Sequence, residues 1–178
     1  TMQSSYIEDI KNNAGIIIKE KQKSYEDNSK KLDEKVNNKK LLEENQKGLF
    51  ASVEDQINIE SKDVKLKDLR STLIEKQKQK DKMIKFLGEN EDCPACEQHI
   101  DKDFKSHMIS TKETEKNEIV AGLTKMEEEL DKTQSRLIQI SKVTNEIQNN
   151  SIQIAQLNTS IKELEKYQER LSNEIQEL

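Results

Sequence analysis

Apolar residues recur through the C-terminal part of the chain at alternating steps of three and four positions. Between residues 147 and 178, eight of the ten positions in this series are isoleucine or leucine. The series is Ile147, Asn150, Ile154, Leu157, Ile161, Leu164, Gln168, Leu171, Ile175 and Leu178. Such spacing over more than four heptads is typical of the a and d positions of a coiled coil, and a buried asparagine at position 150 can fix its register.

A second series with the same spacing precedes the first. Its members are Leu123, Met126, Leu130, Thr133, Leu137 and Ile140. The two series join at Val143 through two successive steps of three residues, which predicts a stammer, a local overwinding of the supercoil. The N-terminal part is less regular, because lysines and asparagines interrupt the stripe around residues 19–40. Its apolar positions are Ile7, Ile10, Ala14, Ile17, Leu42, Leu49, Val53, Ile57, Leu66, Leu69 and Leu73.

One stretch, GENEDCPACEQHID at residues 88–101, differs from all the rest. Gly88 suits the end of a helix, Pro94 cannot continue one, and an acidic residue between 101 and 103 can cap the next. Two arms of nearly equal length flank this break. The sequence therefore predicts an all-α fold, a long antiparallel coiled-coil hairpin with helices over 1–87 and 103–178 and a turn over 88–102. If the turn centres between the cysteines, residue i lies near residue 189 − i, and Leu69 meets Val120.

The composition argues against a conventional globular core. Charged residues make up 37% of the chain, hydrophobic residues 31% and aromatic residues 3%. The four glycines and single proline also argue against disorder, since disordered chains are usually rich in both. The net charge of −5 comes from interspersed acidic and basic residues, as on solvated helix faces. No apolar run suits a membrane span, no signal peptide is visible, and two cysteines indicate a reducing, cytoplasmic compartment.

The two cysteines form a CxxC motif, Cys93 and Cys96, inside the predicted turn. A structural zinc site takes four ligands, of which this motif supplies two. A second copy of the chain can supply the other two, which gives a four-thiolate site between chains. His99 and His107 can instead complete a site within one chain. The third interpretation is a redox pair, although the sequence shows none of the strands on which thioredoxin-type motifs sit.

The sequence CPAC between two heptad arms, followed by EQHI and a new helix, resembles the zinc hook of SbcC-type ATPases. In that family, a Cys-x-x-Cys motif lies at the apex of an antiparallel coiled coil. Cys93 and Cys96 match its cysteines, and Pro94 is a common residue after the first. The resemblance implies one zinc ion shared by two chains in an SMC-like protein of DNA double-strand-break repair and recombination. Its full-length partners would be a nuclease subunit and DNA. Bacteriophages carry relatives, for which the compartment is the host cytoplasm.

The catalytic parts of that family are not found in this sequence. It contains no G-x-x-x-x-G-K-[ST] phosphate loop and no strand-rich region for a nucleotide-binding head. We therefore expect the distal coil and hook of a larger protein, with no catalysis, no small-molecule substrate and no membrane. The alternative is a generic coiled-coil scaffold that dimerises through its arms and carries an incidental or redox CxxC.

The predicted turn is strongly acidic. Residues 88–103 contain six carboxylates and one lysine, Lys102, for a net charge of −5. The carboxylates are Glu89, Glu91, Asp92, Glu97, Asp101 and Asp103. Two such turns brought together are expected to repel each other, so that zinc–sulfur bonds and local packing would have to hold them.

Overall fold

The computed structural model describes all 178 residues and contains three helices. Helix α1 spans Met2–Ser52, α2 spans Gln56–Glu89 and α3 spans Lys102–Glu177. The one element of β-structure is an isolated bridge between Asp92 and His99. The predicted all-α class is confirmed. None of the three helices combines the length and the apolar character that a membrane span requires.

The chain divides into two compact units. The first contains residues 1–53 and 143–178, and α1 packs there on the C-terminal part of α3. Lys21 forms an ion pair with Glu174 at 2.8 Å, and the Asn28 side chain donates to the Leu164 carbonyl at 3.1 Å. Further along, Gln46 donates to the Ile147 carbonyl. The partner's number falls as the α1 number rises, so the two helices run antiparallel.

The second unit contains residues 54–142, in which α2 packs on the N-terminal part of α3. Five ion pairs join Asp55 and α2 to α3. The antiparallel order is seen in Asp55–Arg136, Lys62–Glu129 and Lys80–Glu115. Across the cross-helix polar contacts of either unit, the two residue numbers add to between 191 and 197. The predicted sum of 189 is therefore too low, so the register is shifted from the predicted one. Leu69 and Val120, which were predicted to meet, are both exposed.

The apolar stripe of α3 lies where the heptad spacing predicts it. Every member of the two series from Leu123 to Ile175, including Val143, is buried or half-buried. The largest fully buried side chain of the whole chain is Leu130, which is 1% exposed. Leu178, the last member, is exposed. The stripe is thus the face through which α3 contacts α1 and α2.

The facing stripe of α1 mixes apolar and polar residues, and its two fully buried members are polar. Asn28 and Gln46 are buried, whereas Ile7, Ile10 and Ile17 are exposed. Asn28 donates to Leu164 and Gln168, and Gln46 to Ile147 and Ser151. Asn150, the expected register-fixing residue, has a buried side-chain nitrogen without a hydrogen-bond partner. The asparagine–lysine region therefore continues the interface through hydrogen bonds, without breaking the helix.

The single helix predicted over 1–87 is present as two. The chain leaves helical conformation between Val53 and Asp55. The Val53 backbone N–H bonds back to Phe50, and the Ser52 hydroxyl donates to the Leu49 carbonyl, which satisfies carbonyls at the end of α1. Asp55, directly before α2, accepts two hydrogen bonds from Arg136 at 2.9 and 2.7 Å. A residue of α3 thus holds the start of α2.

Candidate metal centre

The connecting segment, residues 90–101, joins α2 to α3 within the second unit and carries both cysteines. Helix α2 continues one residue past Gly88, which was expected to end it. Asn90 ends it instead, because both its backbone N–H and its side-chain amide donate to the Phe86 carbonyl. Gly88 does not take the left-handed conformation that favours glycine after a helix.

Two backbone hydrogen bonds form a short antiparallel ladder that closes the connecting segment. Ile100 N–H donates to the Glu91 carbonyl at 2.8 Å, and Cys93 N–H donates to the Gln98 carbonyl at 2.7 Å. Between these pairs lies the antiparallel bridge from Asp92 to His99. The chain reverses direction across this ladder, and the reversal is centred between residues 95 and 96. This centre lies one residue beyond the midpoint of the cysteines, which displaces the register from the expected one.

Glu97 makes the reversal possible through its backbone. It has a φ of 61°, the one non-glycine residue in the chain with positive φ. Its N–H donates to the Cys93 carbonyl at 2.8 Å, which closes a tight turn around Pro94 and both cysteines. Residues with a Cβ adopt this left-handed conformation at a cost, so the ladder on either side must hold it.

Helix α3 begins where an acidic cap was expected. The Asp101 carboxylate accepts from the Phe104 N–H at 3.4 Å, and its carbonyl accepts from the Lys105 N–H at 2.9 Å. The Lys105 ammonium group also reaches back across the segment and donates to the Asn90 carbonyl at 2.8 Å. This contact ties the first turn of α3 to the end of α2 and places one positive charge beside an acidic segment.

The two cysteines are free thiols in contact with each other. Cys93 is half-buried and Cys96 is exposed, and they lie 3.5 Å apart. The sulfurs of a disulfide are about 2.05 Å apart. Two sulfurs on a tetrahedral zinc ion with bonds of about 2.3 Å are separated by about 3.8 Å, close to the spacing found here. The spacing of the pair is thus compatible with two ligands of one metal ion.

The backbone of the turn favours the ionised form of Cys93. The backbone N–H groups of Cys96 and Ala95 and the Cys96 thiol hydrogen-bond the Cys93 sulfur, and together they lower the pKa of Cys93 below its ordinary value. Thiolates, not thiols, bind metals. The contacts inside the motif thus favour the thiolate form of Cys93, which is the form that binds metals.

No group of three or more histidine, cysteine, aspartate or glutamate side chains is arranged to hold a metal within one chain. The His99 Nδ1 lies 3.1 Å from the Asp92 carboxylate, and His99 is not grouped with the cysteine pair in a set of three metal ligands. His107 lies within α3. The structure therefore does not assemble the one-chain site of two cysteines and two histidines. One chain therefore has two thiol groups for a zinc ion, half of the four ligands that a tetrahedral site takes.

Three features of the segment have no strong signal in the sequence: the Asp92–His99 pair, the left-handed Glu97 and the lysine bridge from Lys105. The separation of Asp92 and His99 across a proline-containing loop is the one available hint. The conformation of Glu97 and the contact of Lys105 depend on the path of the backbone through the turn, which residue spacing does not reveal.

Comparisons with known proteins identified no relative of this chain. No protein-family model matches the chain, and neither a curated protein nor a solved structure matches it significantly.

Proposed function

We propose that the connecting segment is the zinc hook of a long antiparallel coiled-coil hairpin, and that two copies of the chain join through it. One zinc ion would be bound by Cys93 and Cys96 of each copy. The observation that carries this proposal is the sulfur pair: two thiols 3.5 Å apart in a tight chain reversal, with Cys96 exposed and no third ligand nearby. A second identical pair completes the tetrahedral set that structural zinc prefers.

The antiparallel contacts in each unit support the hairpin. Ion pairs link α2 to the first part of α3, and Lys105 links the start of α3 to Asn90 at the end of α2. The exposure of Cys96 leaves one side of the pair open to another chain. A two-fold axis through the metal would relate the copies, so that each contributes the same residues.

The role of such a joint is to tether. By its resemblance to the hooks of SbcC-type proteins, the chain would belong to an SMC-like ATPase that works with a nuclease subunit on DNA double-strand breaks and in recombination, in the cytoplasm or in a phage-infected host. The hook region itself would be non-catalytic. Its contribution would be mechanical, a metal-dependent connection between two ATPase–nuclease assemblies and the DNA that they hold.

Zinc content measured alongside solution mass tests the proposal. We expect one zinc ion for every two chains in a dimer, and loss of both metal and dimer in Cys93→Ser and Cys96→Ser variants with unchanged helical content. Ala95→Ser, between the cysteines, is the matched control and should still dimerise. A chelator that competes for zinc should also dissociate the wild-type dimer. Dimers that persist in both cysteine variants would contradict the hook.

A scaffold that dimerises through its arms is the second candidate. Large apolar side chains outside the buried stripe favour it, among them Leu41 at 63% and Phe50 at 56% exposed. Side-by-side association would cover such residues. It predicts dimers that are insensitive to chelator and to cysteine replacement but are lost in a Leu41→Lys, Phe50→Lys double variant.

A further inference from the structure

The sulfur pair that serves as half of a metal site is also placed to react with itself. The two cysteines lie within one motif, 3.5 Å apart, and the sequence contains no other cysteine. Closing this separation to a disulfide length of about 2.05 Å requires a side-chain movement of about 1.5 Å.

We propose that the connecting segment is a redox switch, in which a low-molecular-weight disulfide converts Cys93 and Cys96 of one chain into an intramolecular disulfide and thereby opens the zinc-linked dimer. This inference rests on the proposed zinc hook. The oxidant is chemically a small dialkyl disulfide, with oxidised glutathione as its simplest cellular form.

The exchange proceeds in two balanced steps. The exposed Cys96 sulfur attacks one sulfur of the small disulfide, which forms a mixed disulfide and releases one small thiolate. The Cys93 sulfur then attacks the Cys96 sulfur, which forms the Cys93–Cys96 bond and releases the second small thiolate. In the zinc-bound chain both protein sulfurs are thiolates. They lose two electrons as their bond forms, the small disulfide gains these two electrons and leaves as two thiolates, and those thiolates take their protons from water.

The exposures assign the order of the two steps. Cys96 is exposed and is the sulfur that an oxidant reaches first, whereas Cys93 is half-buried behind it. An accessible cysteine beside a second, resolving cysteine is the usual arrangement of a redox-sensitive pair. Cys93 is therefore the resolving residue.

The division of the metal site between chains makes the switch sensitive. Oxidation of one chain removes two of the four zinc ligands at once, and the two that remain are too few for a structural site. Because the disulfide forms within one chain, its formation does not depend on protein concentration. One oxidised chain per dimer is enough to separate the copies, and reduction in the presence of zinc should restore them.

Oxidised glutathione added to the zinc-loaded chain tests the switch. We expect the solution mass to halve, one zinc ion to be released per dimer, and each oxidised chain to lose the mass of two hydrogen atoms. Dithiothreitol with added zinc should reverse all three changes. The Cys93→Ser variant should instead retain one glutathione on Cys96, because no resolving sulfur remains.

Separate readouts distinguish the switch from the hook on which it rests. A zinc-linked dimer that survives the oxidant, or that becomes cross-linked between chains, would overturn the switch and leave the hook intact. A metal-free chain that forms no internal disulfide would overturn it as well. A wild-type chain that forms no zinc-dependent dimer at all would overturn both proposals, whatever its sulfur chemistry.

Discussion

Glu97 shows at the scale of one residue how the connecting segment is held. Its φ of 61° is unfavourable for a residue with a Cβ, yet its N–H closes the turn on the Cys93 carbonyl. The left-handed conformation costs an L-residue roughly 1–2 kcal/mol, a cost that glycine does not carry. The sulfur spacing therefore depends on a residue that is not the best former of its own backbone conformation.

Replacing Glu97 by glycine should tighten the segment. We expect about 1 kcal/mol of local stabilisation, and hence amide exchange at Cys93 and Ile100 about fivefold slower. Glu97→Val should accelerate exchange at both positions, because a β-branched residue tolerates positive φ poorly. Hydrogen exchange followed by NMR measures both effects. Equal exchange rates in the glycine and valine variants would show that the ladder, and not residue 97, limits opening.

At the scale of the helices, the buried polar residues differ in whether they are satisfied. Asn28 is 4% exposed and donates to both Leu164 and Gln168, whereas the Asn150 side-chain nitrogen is buried without a partner. A buried donor without a partner costs roughly 1–3 kcal/mol. The two asparagines therefore differ in energetic consequence although both lie in the same interface.

Leucine substitutions should separate the two asparagines. Asn150→Leu should raise the thermal midpoint, because it removes an unsatisfied amide and adds apolar burial worth about 1 kcal/mol or more. Asn28→Leu gains similar burial but leaves the Gln168 oxygen without its donor, so its increase should be smaller. Thermal unfolding followed by circular dichroism compares them. A gain for Asn28→Leu as large as that for Asn150→Leu would show that the Asn28 hydrogen bonds add nothing.

The ion pairs between α2 and α3 should make the second unit sensitive to acid. Lys80, 2.6 Å from Glu115, lowers the pKa of Glu115 below its ordinary value of 4.5, with a further contribution from Lys112. A lowered pKa in the folded state stabilises the fold above the ordinary value. This stabilisation is lost as the pH falls from 4.5 through the folded value.

Thermal midpoints across a pH series test this effect. We expect the midpoint to fall below about pH 5, and to fall less steeply in Glu115→Gln, whose neutral amide has no ionisation to lose. Glu118→Gln, at an exposed position without an ion pair, is the matched control and should keep the wild-type slope. Identical slopes in all three proteins would show that the Lys80–Glu115 pair does not contribute.

The sequence predicts those parts of the fold that depend on the spacing of apolar residues or on an obvious helix break. The α3 stripe from Leu123 to Ile175 is one case, and the placement of both cysteines between two helices is another. The α1 interface is not predictable in this way, because Asn28 and Gln46 pack through hydrogen bonds that leave no hydrophobic period. The interruption at residues 53–55 contains neither proline nor glycine. It follows a change of phase, since the less exposed positions Val53, Gln56 and Ile59 are separated by two successive steps of three.

Within the candidate site, the motif was predictable and its geometry was not. The CxxC spacing identifies Cys93 and Cys96 as a pair, but their 3.5 Å separation depends on the ladder and on the turn at Glu97. The register error has the same origin. The reversal is centred by backbone hydrogen bonds between Glu91 and Ile100, which have no counterpart in a count of residues between cysteines.

At the scale of the whole molecule, the charge of the connecting segment affects how strongly two copies associate. Residues 88–103 carry a net charge of −5, as large as that of the entire chain. The Lys105 ammonium group at the Asn90 carbonyl offsets part of it. Four thiolates around one zinc ion leave a further two negative charges. In the proposed dimer, repulsion between the two segments therefore opposes the zinc–sulfur bonds and keeps the connection reversible.

Added salt should strengthen the zinc-dependent dimer. Repulsion between exposed charges is screened over about 8–10 Å at physiological ionic strength, so moderate salt removes more repulsion than attraction. Sedimentation equilibrium at fixed zinc across a salt series gives the dimer constant. Lys105→Gln removes a compensating positive charge at the Asn90 carbonyl and should steepen the salt dependence. Weakening of the wild-type dimer with salt would show that attraction governs the encounter.

The polar residues buried on α1 have a consequence for the folding of the chain during its synthesis. Synthesis proceeds from the N-terminus, so α1 emerges first, while its partner in the first unit, residues 143–178, emerges last. The second unit, residues 54–142, is complete before that partner exists. Contacts within the first unit join residues as far as 153 positions apart, as between Lys21 and Glu174. Until then the interface of α1 is exposed, and a leucine-rich interface would promote aggregation. With Asn28 and Gln46 at its buried positions, the interface of α1 tolerates exposure to water until its partner is made.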